Sequence, residues 1–437
     1  MNLLLVGILI LIFLMVIGTP VAMSFGALAV FLTVSYGLDT SMLVPAAFYN
    51  IKSVVLLTIP FFILLGGLLV GNEEQMEEGL ATKLINFFDS ILGRIKGGLA
   101  ALTVIISALF GSISGTCSAS VAAIGTVMIP KLEEHGYDRG FSTALVACSS
   151  ILGQLIPPSV PMILFALVTV QSIPACWLAT VGPGIFTIIT YIIISLILTR
   201  KMPIHIREKQ PIVIQLKNIM YSFKSASLAL LLPVILLGTI YSGITTPTEA
   251  ACVAVLYVII LNVIVYRTMN IKNMAYSFIQ SATTTGVLII LLFFTMIVSR
   301  ILTFEQVPQE ISNWLIQVSP NKYVTLLMVN VFLLLIGMLM DDLSGTVLSA
   351  ALLFPIMTGI GVHPLHFAAI TGVNLGLGNV TPPTAPILYL AGRIGKCKIE
   401  NYIKPSLILM FFGMFPILLL TTFIPEISLF LPRYFGF

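Results

Sequence analysis

The chain has 437 residues, of which 58% are hydrophobic and only 9% charged, with a formal net charge of +4. A soluble domain carries about a quarter charged residues, so water is excluded as the main solvent, and a positive balance this small and dispersed excludes nucleic acid as a partner. The long apolar runs instead predict an all-α polytopic membrane protein of roughly ten spans, each long enough to cross ~30 Å of hydrocarbon.

Taken in order, the first run, Asn2 to Gly18, lacks a basic segment before it and a small-residue cleavage site after it, and so reads as a span. Spans are expected near 3–17, 20–36, 98–130, 141–171 and 182–199. Segment 52–71 is interrupted at Thr58 to Pro60; each arm is too short to cross, which predicts a re-entrant hairpin. Segments 73–92, 204–224 and 305–318 mix charge with apolar residues at helical spacing and read as interfacial amphipathic helices. Trp177 and Trp314 read as interfacial anchors. Five cysteines stand singly inside or beside apolar stretches without metal-ligand spacing.

An internal repeat organises the chain. An offset of 225 aligns Pro130 with Pro355, Gly136 with Gly361, Gly153 with Gly378, Pro157-Pro158 with Pro382-Pro383, and Pro161 with Pro386. In a membrane, so long a repeat marks transporters whose site lies between two pseudo-symmetric halves. The first repeat covers 1–200, with hairpin 52–71 and broken spans 98–130 and 141–171. A connector follows at 201–225. The second covers 226–437, with hairpin 273–300 and broken spans 323–355 and 366–391. Five crossings in the first half are odd, so the second half is expected to be inverted. Lys and Arg fall on one side of this topology by a bias of roughly three to one, which makes that side, with the 200–225 connector, cytoplasmic and the amino terminus periplasmic.

Two stretches are too polar for a lipid-facing helix. Gly111 to Ser120 holds Ser112, Ser114, Gly115, Thr116 and Ser118; its repeat mate holds Asp341, Asp342, Ser344, Gly345 and Thr346. Such backbone at membrane depth is tolerated where it lines a cavity, and its carbonyls and hydroxyls are hard ligands for sodium. Tight packing of helices through small residues is the rival for the first stretch. An intramembrane carboxylate costs ~3 kcal/mol or more unless paired, so Asp341 or Asp342 is expected to bind sodium or a proton. Adjacent aspartates on one helix point about 100° apart, poor geometry for an aspartyl protease dyad, and no other arrangement resembles an enzyme. The double prolines at Pro157 and Pro382 free carbonyls of the preceding turn. With Ser149, Ser150, Gln154, Asn374, Gly378, Asn379 and Thr381 these can complete ion shells or bind substrate. Arg300 could meet a substrate carboxylate or snorkel to the interface.

Thr58-Ile-Pro-Phe-Phe-Ile-Leu, Phe110-Gly-Ser-Ile-Ser-Gly, Ile156-Pro-Pro-Ser159, Gly337-Met-Leu-Met-Asp341 and Val373 to Pro383 follow one another in an order and spacing that resemble the large membrane subunit of tripartite ATP-independent periplasmic (TRAP) transporters over essentially the full length. The resemblance implies a sodium-driven elevator carrier, with sodium as coupling ion and no other cofactor. It implies import of an organic acid across a bacterial inner membrane. As partners it implies a periplasmic substrate-binding protein and a separate small membrane subunit, with lipid around them. It places the hairpin-tip role, and hence substrate contact, on Thr58, Pro60, Thr283 and Thr284. Thr116 to Val121 lacks the acidic residue that many dicarboxylate members carry, and the Asn379 and Ala385-Pro386 context resembles the sugar-acid branch, so a sugar acid such as sialic acid is favoured over a C4-dicarboxylate. The alternative is a stand-alone sodium- or proton-coupled anion transporter of related fold.

Overall fold

The computed structural model describes residues 2–70, 80–92, 96–204, 212–307, 309–310 and 321–437. Regular structure among them is entirely helical. The first half contains α1 (Asn2–Val16), α2 (Val21–Tyr36), α3 (Thr40–Ile51), α4 (Thr58–Val70), α5 (Leu80–Leu92), α6 (Gly98–Ser114), α7 (Cys117–Glu134), α8 (Arg139–Ser150), α9 (Leu152–Leu155), α10 (Val160–Thr169) and α11 (Ile173–Thr199). The second contains α12 (Ile212–Tyr241), α13 (Pro247–Ile260), α14 (Ile271–Phe304), α15 (Lys322–Leu339), α16 (Asp342–Gly359), α17 (Pro364–Val380), α18 (Pro386–Ile394), α19 (Ile399–Leu409), α20 (Phe415–Phe423) and α21 (Glu426–Tyr434). Among the described residues, seven helices are long and apolar enough to cross a membrane, or up to nine if each bent pair is one span. The chain is a multi-pass membrane protein.

Side-chain caps set many of the boundaries. Asp138 accepts from the Phe141 amide at 2.8 Å and starts α8. Thr246 and Glu249 form a reciprocal capping box at the start of α13. At the middle of the molecule, Thr116 caps α7 and Asp341 caps α16.

Two of the expected broken spans are hairpins. The Tyr137 side chain, just beyond α7, lies against the backbone amides of Gly97, Leu99 and Ala100 at the start of α6. Lys322 Nζ, at the start of α15, donates to Gly361 O beyond the end of α16 at 2.8 Å. Both pairs therefore return to the end they came from, and neither 98–130 nor 323–355 crosses. Conversely, 273–300 is no hairpin: α14 runs unbroken for 34 residues, about 51 Å at 1.5 Å per residue. Its Thr283-Thr284 hydroxyls bond the preceding turn at Ile279 O and Gln280 O, so the helix continues through them. Segment 52–71 belongs to a bent pair, Thr40–Tyr49 and Val54–Leu69, that turns by 59°. Described residues 212–224 of the connector are not a separate interfacial helix but the first turns of α12, while 205–211 lie outside the described residues. The same holds for most of 305–318, including Trp314. Trp177 is not an interfacial anchor: it is buried, edge-on to Phe62 with ring centroids 5.9 Å apart, and its Nε1 donates to Ser159 O at 2.9 Å.

The hairpins enter from opposite ends. Helices α8 to α10 start beside the base of the first hairpin, bend by only 40°, and end with Phe165 against Phe354 towards the base of the second. The two tips meet in the middle, where the Cys117 amide donates to Asp342 Oδ2 at 3.2 Å. Cys117 and Asp342 are 225 apart, the repeat offset itself, so the pseudo-two-fold relating two inverted halves passes between them.

Candidate functional site

Glycine decides how closely hairpin and broken helix approach. A Cβ on Gly111 would lie 2.5 Å from Gly153 Cα, and one on Gly378 2.6 Å from Gly337 Cα. These are the same crossing in the two halves, α6 over α9 and α15 over α17. At the first tip Gly115 adopts φ +70, and its carbonyl accepts from the Val160 amide at 2.9 Å, tying the tip to the start of α10 after the double proline. At the second tip Asp341 accepts from the Leu343 and Ser344 amides at 3.2 and 3.4 Å. Helix N-terminal N–H groups thus partner both carboxylates, which lowers the cost of placing them at membrane depth. No basic side chain takes part.

A partly polar cavity of about 270 Å³, room for about nine waters at ~30 Å³ each, opens beside the first tip. The tip contributes Ser114, Thr116 and Ser118, and Leu343 comes from the second. The opposite wall is α4, through Gly66 and Gly67, and α14, through Tyr276, Ser277, Gln280, Ser281 and Thr284. Small residues let this wall lie close: a Cβ on Gly66 would sit 3.2 Å from Ser114 O, and one on Gly67 3.4 Å from Ser281 Oγ. Its polar groups are hydroxyls, one amide and backbone, with no charged side chain; Ile63, Ala119, Ala122 and Leu343 complete a lining that is more apolar than polar, and the α7 N-terminus adds a partial positive charge.

The expected residues divide accordingly. Ser114, Thr116, Ser118 and Thr284 line the cavity. Ser112 bonds Leu109 O at 2.7 Å, and Thr346 bonds Asp342 O at 2.6 Å. Ser344 and Gly345 lie in the buried first turn of α16. Asn374 sits in a buried chain: its Nδ2 donates to Asn330 Oδ1 at 2.9 Å, and Asn330 donates to Thr422 Oγ1 at 2.8 Å. Thr381 bonds Leu377 O at 2.6 Å, and Thr384 beyond the prolines bonds Met338 O. Gln154 Nε2 donates to Gly372 O at 2.6 Å, joining the halves; Ser150 bonds Ala147 O at 2.7 Å. Pro157 and Pro382 open the two breaks, and both Pro-Pro peptides are cis. Asn374 Oδ1, both polar atoms of Asn379 and Ser149 Oγ are buried without a partner. Among the described residues no three His, Cys, Asp or Glu converge, so the available donors here are mostly neutral oxygens.

Ser149, Ser150, Gln154, Pro157, Asn379 and Pro382 stay at the breaks rather than lining the cavity, and the expected contacts at Thr58, Pro60, Thr283 and Arg300 are not brought to it either. Thr58 is buried against Thr248 at 2.6 Å, and eight residues, about 12 Å of helix, separate it from Gly66, with Pro60 nearly as far. Thr283 is exposed on α14. Arg300 lies 16 residues, about 24 Å, beyond Thr284, exposed and 5.4 Å over the Phe304 ring. The residues sequence reasoning missed, Tyr276, Ser277, Gln280 and Ser281, carried a signal: with Thr284 they recur at i, i+4 and i+8 on one face of an apolar helix.

Inverted hairpins meeting tip to tip, with broken helices behind them and a partly polar cavity beside them, define a membrane transporter rather than an enzyme. The fold is that of known carriers. The YdaH transporter of Alcanivorax borkumensis superposes with a TM-score of 0.59 over 91% of this chain and 90% of that one at 16% identity. MtrF of Neisseria gonorrhoeae gives 0.54 over 86% and 82% at 14% identity. The chain belongs to the family described as "Tripartite ATP-independent periplasmic transporter, DctM component", whose profile matches residues 8–427. Among relatives, the sialic acid TRAP large permease SiaM of Vibrio cholerae is 32% identical over 96% of both chains. The C4-dicarboxylate large permease DctM of Pseudomonas aeruginosa is 34% identical over 87% of both. The isethionate permease DctMQ of Oleidesulfovibrio alaskensis is 35% identical over 95% of this chain, which spans 64% of that protein's length.

Proposed function

We propose that the chain is the large membrane component of a three-part secondary importer that carries an organic acid across a bacterial inner membrane on a sodium gradient. The observation that carries this reading is the meeting of two inverted hairpin tips beside a partly polar cavity of about 270 Å³. The family's tripartite description supports two partners, a periplasmic substrate-binding protein and a small membrane subunit. The charge bias supports a periplasmic amino terminus and a cytoplasmic 200–225 connector.

Sodium suits the donors present. Asp341, Asp342 and the Ser, Thr and Asn oxygens of tips and breaks are hard ligands, and the unpartnered buried oxygens of Asn374, Asn379 and Ser149 favour occupancy by a cation. An elevator motion suits the wall: the first tip faces α4 across Gly66, where no side chain stands between the helix and Ser114 O. Relatives' names span isethionate, C4-dicarboxylate and sialic acid. Polar lining groups that are hydroxyls and one amide, set among Ile63, Ala119, Ala122 and Leu343 and without Lys or Arg, favour a polyhydroxylated acid with some apolar surface, its carboxylate met by the α7 N-terminus, over a compact dianion.

Proteoliposomes holding the chain with its small subunit and binding protein test this. Labelled sialic acid is expected to accumulate only with an inward sodium gradient and the binding protein. Uptake by the chain alone would overturn the three-part reading, sodium-independent accumulation the coupling, and preference for a C4-dicarboxylate the sugar-acid assignment.

A further inference from the structure

Away from the hairpin tips, a shallow, wide-mouthed cavity of about 500 Å³ lies on the surface between α18 and α19, at the end where the first hairpin has its base. Arg139, at the start of α8, marks that end by donating from Nε to Gly395 O at 2.7 Å. Tyr389, Arg393, Lys396, Lys398 and Tyr402 line the cavity. Its three cations are exposed, and no ion pair among the described residues involves them. Glu400, in the next turn, pairs with none of them. Lys396 holds φ +44, a left-handed conformation that glycine adopts at less cost, yet a lysine stands there.

The repeat shows that the fold does not require this charge. The offset of 225 places Val168, Gln171 and Ile173 opposite Arg393, Lys396 and Lys398, so the other half builds the same corner without a cation. Basic pockets between membrane helices suit anionic headgroups, guanidinium and ammonium together grip phosphate, and tyrosines sit well at headgroup depth. The helix leaving the cavity exposes Leu407, Phe411 and Phe412 within its next turns, an apolar surface suited to acyl chains beside it.

We propose that this cavity binds the phosphate of an anionic phospholipid headgroup, such as phosphatidylglycerol or cardiolipin, and so fixes α18 and α19 to one leaflet. The site is independent of the transport reading; lipid retention is measured without substrate or sodium. The test is native mass spectrometry of the full chain, purified with its small subunit, from mixed micelles of cardiolipin, phosphatidylglycerol and phosphatidylcholine. Wild type is expected to retain the anionic lipids about tenfold over phosphatidylcholine. Arg393→Gln, Lys396→Gln and Lys398→Gln together should abolish that preference. Lys217→Gln, Lys224→Gln and Lys272→Gln, which remove equal charge elsewhere, should keep it. Equal loss in both triple variants, or no preference in wild type, would overturn the site. Thermal protection by inorganic phosphate without retained lipid would overturn the lipid assignment.

Discussion

Asp342 and Cys117 show how one residue serves two ends. The carboxylate accepts the Cys117 amide across the pseudo-two-fold, and an asparagine's Oδ1 would still do so. Asp342→Asn is therefore expected to leave the melting temperature within about 3 °C of wild type, as a near-isosteric change should, while uptake loses its sodium dependence. Retained sodium-driven uptake would remove this carboxylate from the coupling site. Gly378 acts through absence: its missing Cβ admits Gly337 Cα, and backbone cannot yield as a flexible side chain would. Gly378→Ala should cost about 1–3 kcal/mol by overpacking, read as a lower melting temperature. Gln280 and Arg300 separate the cavity from its surroundings. Gln280→Leu should raise the KM for substrate severalfold, whereas Arg300→Gln, about 24 Å beyond Thr284, should leave it unchanged. The polarity of both tips was legible in the sequence because polar residues stand out against an apolar background. The displacement of Arg300 was not, since its charge says nothing of which way it faces.

At the scale of elements, length and hydropathy describe a hairpin and a crossing alike. Segment 98–130 is as long and apolar as a span, and only the return of Tyr137 to the start of α6 shows that it doubles back. In α14 the Thr283 to Gly286 polarity read as a tip, but threonines in a helix can satisfy their hydroxyls on the preceding turn. The amphipathic α5 joins α12 to the first hairpin, and its Asp89 pairs with Lys131 of α7 at 2.9 Å with side chains 6% and 16% exposed. Removing one partner leaves the other buried and charged. Asp89→Ala should therefore destabilise by about 3 kcal/mol, and Asp89→Leu with Lys131→Met should recover most of it. Equal melting temperatures for the single and double variants would show that the pair carries no coupling.

For the whole molecule, the inversion does not depend on 98–130 being a crossing: that segment doubles back, and the relation between the halves is carried by the two hairpin tips that meet at Cys117 and Asp342, one repeat offset apart. The wall opposite the tips is the part that a one-dimensional reading missed: α4 and α14 come together because Gly67 of α4 faces Ser277 and Ser281 of α14 and lets the backbones approach. If that wall bounds the substrate's space, Ser281→Phe should abolish uptake while the protein still purifies as a monodisperse species; full uptake would place the substrate elsewhere.

By itself the sequence determined the solvent, the helical class, the two-fold repeat and the polar breaks, because each is a property of composition or spacing along the chain. Only the tertiary structure decided which helices return and which cross, that Cys117 meets Asp342, and that Tyr276 to Thr284 faces Ser114 to Ser118. Those are contacts between residues dozens of positions apart or more, 39 for Lys322 and Gly361 and 225 for Cys117 and Asp342, and nothing local to either partner encodes them.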